Sequence, residues 1–274
     1  GKTLFFVRLK DGTLLRQEVL AEGVWSIAGG ETFYAASSKG MVLQFDKDGK
    51  ALSGWQESVD VLGLSVDEIA VLVLRDGAVR FLGRRRTVVR TGGVPLMWRV
   101  TGRHLWLLVQ NGLRRQLLLI GPGGVLRRWD VRINAGEMAA QKSWCLLLER
   151  VPKTTPVVML YLADGHTKQF SAPEDAGRVE FLRAVGSGES AGVLWSSGIT
   201  VRGFVLDVRS GRRVGFRSLI NGASGVSGPT VVGQWMFYAE RTFWMVRMEV
   251  VDLRSGAVFG TDVRVRGRVW GVAG

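Results

Sequence analysis

A single cysteine, Cys145, stands in 274 residues, so the chain can form no internal disulfide. There are only two histidines, His104 and His166, and no His or Cys pair has ligand spacing, which excludes a zinc site of the usual kind unless carboxylates complete it. Asn111, Asn134 and Asn221 all lack a hydroxyl residue two positions on, so no N-glycosylation acceptor is present. These shortages favour a reducing intracellular compartment (cytoplasm, nucleus or organelle matrix) and leave a bacterial periplasm open. Long apolar runs are also missing. Val157 to Ala163 is among the longest, far below the ~18 residues of a membrane-spanning helix, and no transmembrane segment is expected. The start at Gly1-Lys2-Thr3 carries no charged-then-apolar leader.

Acidic residues are the other shortage. Against 24 Asp and Glu stand 37 Lys and Arg, a net charge of +13, and 29 of the basic residues are Arg. Arg provides a planar fork that binds carboxylate or phosphate bidentately, which Lys cannot imitate. A GC-rich genome would give the same bias with no functional meaning.

What the chain does have is repetition. In Val24 to Gly54, short runs rich in β-branched and aromatic residues (VWSIA, TFYAA, MVLQF) each stop at a turn cluster: Gly29-Gly30, Ser37-Ser38-Lys39-Gly40 and Asp46-Lys47-Asp48-Gly49. This is the signature of strands joined by hairpins. The same order recurs, with turns at Asp11-Gly12, Asp76-Gly77, Asn111-Gly112, Asp164-Gly165, Ser210-Gly211 and Ser255-Gly256. Val269 to Gly274 (VWGVAG) repeats Val24 to Gly29 (VWSIAG), and six intervals separate them, or about 41 residues each, a spacing typical of propeller blades.

The expected fold is therefore all-β: a single β-propeller of seven blades over 1–274, with approximate bounds 24–57, 59–91, 95–131, 136–171, 178–218 and 226–263. A closing blade would combine 264–274 with 1–20, since circular closure removes exposed strand edges. That blade lacks one strand.

Two families share this grammar. VWSIAGGETFYAASSKGMV and VEFLRAVGSGESAGVLWSSGITV resemble repeats of the regulator of chromosome condensation family. FVLDVRSGRRV (Phe204 to Val214) and VVDLRSGAVFG (Val250 to Gly260) look like quinoprotein-like or tryptophan-aspartate (WD40-like) blades, and the tryptophan-aspartate pair itself occurs at Trp129-Asp130. The resemblance implies a propeller that serves as an assembly platform.

Local motifs argue for no specific chemistry. Gly188-Glu189-Ser190-Ala191-Gly192 fits a nucleophile elbow, but the residues after it read as a strand where an elbow needs a helix, and both histidines precede Ser190. Gly186 to Ala191 also fits a dinucleotide fingerprint, and again the helix that would aim at a pyrophosphate is missing. Asp46-Lys47-Asp48-Gly49 is better explained as a hairpin turn than as a calcium loop. No cofactor and no metal are expected. The ten tryptophans recur with the blades, which predicts packing between blades and not a platform for stacking bases.

The arginines are harder to dismiss. Arg264 and Arg266 fall on one face of a strand, with Arg268 beyond Gly267, and same-face neighbours lie ~6.6 Å apart. Arg84, Arg85, Arg86, Arg114, Arg115, Arg127 and Arg128 form further clusters near turns. An anionic partner would relieve their repulsion, and splayed, solvated guanidinium groups would do so equally well. The reading favoured is a non-catalytic scaffold in a multi-subunit complex, docking an acidic protein surface or the phosphates of RNA or DNA through these residues. Two alternatives stand beside it: an envelope assembly-factor propeller, and an enzyme or small-ligand binder at the mouth of the central channel.

Overall fold

The structure, a computed structural model, describes residues 1–265 apart from 9, 30–31, 84–85, 150–156, 172–178, 198–199, 222–224, 227–228 and 242–245. Every regular element among the described residues is a β-strand, and all strand pairs are antiparallel. Two compact units divide the chain, 1–132 and 133–274.

The first unit opens on a hairpin of β1 (Thr3–Val7) and β2 (Leu14–Val19). Three four-stranded sheets follow. The first holds β3 (Val24–Gly29), β4 (Phe33–Ser37), β5 (Met41–Phe45) and β6 (Ala51–Gln56); the second holds β7 (Val61–Val66), β8 (Ala70–Leu74), β9 (Ala78–Leu82) and β10 (Arg86–Arg90). The third is the longest-stranded: β11 (Val94–Thr101), β12 (His104–Asn111), β13 (Arg114–Gly121) and β14 (Gly124–Val131). In each, strands pair in chain order with the first and last at the edges.

Alternation along the strands explains how these sheets stack. In β8, AVLVL, all five residues are buried. Ala70, Leu72 and Leu74 pack with Tyr34, Ala36 and Val42 of the first sheet, while Val71 and Val73 pack with Leu105, Leu107 and Val109 of the third. A strand covered on both faces must be apolar throughout, because successive side chains point to opposite sides. Each fully buried Leu or Val stabilises the stack by about 1.5–3 kcal/mol relative to an exposed one. The hairpin packs in the same way, with Leu4 and Leu20 against Ala35 and Phe45.

The second unit repeats the plan. Its sheets hold β15 (Ala135–Gln141), β16 (Trp144–Glu149), β17 (Val157–Leu162) and β18 (Thr167–Ser171), then β19 (Val179–Ser187), β20 (Ser190–Ser197), β21 (Thr200–Asp207) and β22 (Arg213–Asn221). The last sheet has five strands, because β23 (Gly225–Val226) and β24 (Thr230–Val232) pair with opposite ends of β25 (Trp235–Arg241), followed by β26 (Val246–Asp252) and β27 (Val258–Val265). Cores again form between consecutive sheets, around Trp144, Trp195 and Phe204, and around Leu194, Met236 and Tyr238.

Glycine at two kinds of position makes this stacking possible. Gly77 closes the β8–β9 turn at φ +80°, and a Cβ there would run into the carbonyl oxygen of Gly93. Gly186 on β19 lies under the Trp144 indole, whose Nε1 donates to the Gly188 carbonyl oxygen at 2.8 Å. Tryptophans therefore do key one sheet onto the next, as their recurrence suggests: Trp98 covers Gly63, and Trp106, Trp144 and Trp195 are fully buried. Trp25 departs from the pattern. Its indole Nε1 donates to the Leu62 carbonyl oxygen at 3.3 Å, yet 68% of the residue is exposed. Trp270, and the whole of the expected closing strand Arg268 to Gly274, lie outside the described residues.

Candidate partner-binding surfaces

The arginines divide into several environments. Arg84, Arg85, Arg266 and Arg268 lie outside the described residues. Arg264 belongs to β27, the last strand of its sheet.

Arg86, at the start of β10, is stacked on an aromatic ring of the chain itself. Its guanidinium sits 3.8 Å from the centre of the Trp55 ring on β6. The Trp55 indole Nε1 donates to Glu57 at 2.9 Å, and Glu57, buried, also meets Arg80 of β9 at 2.6 Å. Arg86 is thus the outer layer of an intramolecular stack, Arg86 on Trp55, Trp55 to Glu57, Glu57 to Arg80.

The doublets Arg114-Arg115 and Arg127-Arg128 share the third sheet and are split by it. Arg115 pairs with Val131 and Arg127 with Leu119, on the face that carries Leu117 and Trp129. Arg114 and Arg128 fall on the opposite face. Arg128 donates to Gln116 Oε1 at 3.4 Å, and Gln116 donates in turn to Asp130 at 3.0 Å. Arg114 and Arg127 are exposed and have no ion pair among the described residues. They are also apart along the sheet, because Arg114 begins β13 whereas Arg127 pairs with Leu119, further along that strand.

Each of these two cations follows an exposed leucine in the chain. Beside Arg114, at the tip of the β12–β13 hairpin, Leu113 is wholly exposed (101%). Beside Arg127, Leu126 is 52% exposed and Val125 is exposed as well. Leu126 and His104 both approach the Cα of Gly121, at 3.4 and 3.6 Å from the place a Cβ would take, so the β11–β12 turn joins this patch. That turn is held by the neighbouring sheet: Gly102 N donates to the Asp67 carboxylate at 2.6 Å. Arg103 at its tip is exposed and adds a further cation, which the sequence gives no reason to single out since it belongs to no doublet.

The apparent catalytic motif resolves into a hairpin. Gly188 and Glu189 form the turn between β19 and β20, with Ser187 opposite Ser190, and β20 is a strand where an elbow needs a helix. Ser190 borders a groove of about 510 Å³ with Glu189, Gln234 and Arg254; neither histidine lines it. Among the described residues, no group of three or more His, Cys, Asp or Glu could hold a metal ion.

Three turn carboxylates titrate low. Asp207 is held below the ordinary carboxylate range chiefly by the Ser210 backbone N–H, and Asp252 chiefly by the Ser255 hydroxyl and the Arg254 N–H. Asp11 is held down by Thr13 N–H. Each caps a Gly turn, a structural duty.

No family model matches the chain, and no curated protein matches it. Among solved structures it is similar to BamB from Moraxella catarrhalis at 11% identity and a TM-score of 0.55, over 93% of this chain and 77% of that one. It is similar to apo AztD from Citrobacter koseri at 13% identity and 0.58, over 97% and 80%, and to the Dos1 propeller at 12% and 0.51, over 88% and 72%. At such identities the likeness shows the fold, an all-β propeller.

Proposed function

We propose that the chain is a non-catalytic docking module that binds an acidic protein surface, with Leu126, Arg127 and Arg103 at one end of the β11–β14 sheet as its principal contact and the Leu113–Arg114 tip as a second. The observation that carries this reading is the mixture of exposed leucine with exposed arginine at both places. Phosphate contacts need cations alone, whereas protein interfaces combine apolar anchors with Arg in one patch. Two of the tryptophans support the same choice: Trp55 is covered by Arg86, and Trp106 is buried and stacks on Trp129 with ring centres 5.5 Å apart.

Quantitative cross-linking and capture with the whole chain tests this reading, comparing wild type with Leu126→Ser and Arg127→Ser. Both residues are exposed, so both variants keep the fold. The reading expects an acidic partner that is captured by wild type and depleted at least about fivefold by either change. Capture that both variants leave intact overturns it.

A further inference from the structure

We propose that the groove between the β19–β22 sheet and the last sheet, bounded by the β19–β20 and β24–β25 turns, binds a short peptide with free ends, its ammonium group at Glu189 and its carboxylate at Arg254. The site lies wholly within the unit 133–274 and does not depend on the patch at Leu126 and Arg127.

The repeat shows where the groove comes from. Trp144, Ser190 and Trp235 hold the same place in their sheets, at the start of the second strand, where each pairs across the turn with Gln141, Ser187 and Val232. Trp144 faces the next sheet. It covers Gly186, donates its indole N–H to the Gly188 carbonyl oxygen and packs in one core with Ala191 and Val193, so the space there is filled. Ser190 faces its own next sheet in the same way, because Gly192 and Leu194, two and four residues on, pack against Met236. A serine thus stands where the preceding sheet has a tryptophan, and the space an indole would take belongs to the groove of about 510 Å³.

Packing holds this groove open. Its floor is Leu253, which is buried, and a Cβ on Gly192 would lie 2.8 Å from Met236 Sδ and 3.0 Å from Leu253 Cδ2, so the two sheets are in full contact beneath it. The flanking turns are tied back to their own sheets. Val208 N donates to the Glu189 carbonyl oxygen and Leu253 N to that of Gln234, both at 2.9 Å. A volume of this size suits a small organic ligand.

The lining decides which ligand. Glu189 and Arg254, both exposed, carry opposite charges and line the same groove, yet neither makes an ion pair among the described residues. The Asp252 carboxylate near Arg254 is engaged in its own turn, by the Ser255 hydroxyl at 2.7 Å and the Arg254 N–H at 3.0 Å. A cleft of about 120 Å³ shares Ser190, Leu253 and Arg254 with the groove and adds Arg212 as a second cation at that end; Asp207, also there, is held by the Ser210 N–H at 2.8 Å. A ligand with one charge would leave the opposite protein charge unanswered, whereas an ammonium and a carboxylate set apart by peptide groups answer both. The Ser187 and Ser190 hydroxyls and the Gln234 amide then serve the peptide N–H and C=O groups. No aromatic ring lines the groove among the described residues, so a nucleobase would find nothing to stack on.

The test titrates the whole chain with trialanine, followed by NMR, beside trialanine that is N-acetylated, C-amidated or both. Saturable binding is expected, with a Kd of about 1 mM or tighter. Blocking either end should weaken it at least about fivefold, and so should Glu189→Gln or Arg254→Gln, both at exposed positions. Ser190→Trp should abolish binding by filling the groove as Trp144 fills its counterpart; if that variant does not fold, the two charge variants decide. Leu126→Ser should leave binding unchanged, which separates this site from the docking patch. The proposal is overturned if trialanine does not bind up to about 10 mM, if the doubly blocked peptide binds equally well, or if Glu189→Gln and Arg254→Gln leave the affinity unchanged. Undiminished binding to a folded Ser190→Trp variant would overturn it as well.

Discussion

Single residues in this chain are used to hold sheet against sheet, and one of the notable charges proves to be so employed. Glu57 is buried and takes hydrogen bonds from Trp55 and Arg80. Removing one partner strands a carboxylate, so Arg80→Ala should destabilise by about 2–3 kcal/mol in chemical denaturation, below the roughly 3–5 kcal/mol of a fully buried pair because Arg80 is partly exposed. Arg86→Ala loses only a stack at the surface and should cost under about 1 kcal/mol. Gly186→Ala sets a methyl into the Trp144 indole and should cost about 1–3 kcal/mol by overpacking. The stack of Arg86 on Trp55 could not be read from the sequence: the two are far apart in the chain, and Arg86 appeared there as one of three adjacent cations. Trp25 was equally illegible, since its strand period is like that of its neighbours and only the packing of the first sheet leaves it exposed.

At the scale of the element the sequence was far more transparent. Gly-containing turns between alternating apolar runs mark the strands, and Gly12, Gly77, Gly112, Gly165, Gly211 and Gly256 all have the positive φ that their turns predict. The doublets are split between faces for the same reason that the strands are legible. A period of two sends Arg127 and Arg128 to opposite faces, and of these two exposed residues Arg128 is tied to Gln116. Arg127→Ser should therefore weaken partner capture, while Arg128→Ser should leave it within about twofold of wild type. The turn carboxylates give a pH signature. Asp207 and Asp252 have folded-state pKa values lowered relative to the unfolded chain, so their contribution is present above the unfolded value, about 3.9, and is lost as pH falls through the folded values. Stability should decline below about pH 4, and the double change Asp207→Asn with Asp252→Asn should flatten that decline in acid titrations followed by circular dichroism.

For the whole molecule, the repeated unit dictates the architecture and leaves the partner to the surface. A strand such as β8, apolar at every position, can exist only between two sheets, and that single fact implies the stack. Composition gives a net charge of +13, which attracts anions of any kind. It could not say whether leucine would stand beside the arginine, because exposure of Leu113 and Leu126 depends on which strands lie at edges and hairpin tips. The proposed docking to a protein surface rests on that placement.

The most direct test of that proposal is a titration of the purified chain with labelled RNA and duplex DNA across a salt series, run beside Arg127→Ser and Leu126→Ser. The account predicts at most weak binding that disappears at physiological salt and is indifferent to Leu126. Micromolar binding at physiological salt that falls steeply as salt is raised, and that weakens in Arg127→Ser but not in Leu126→Ser, would contradict it and make the surface a nucleic-acid interface.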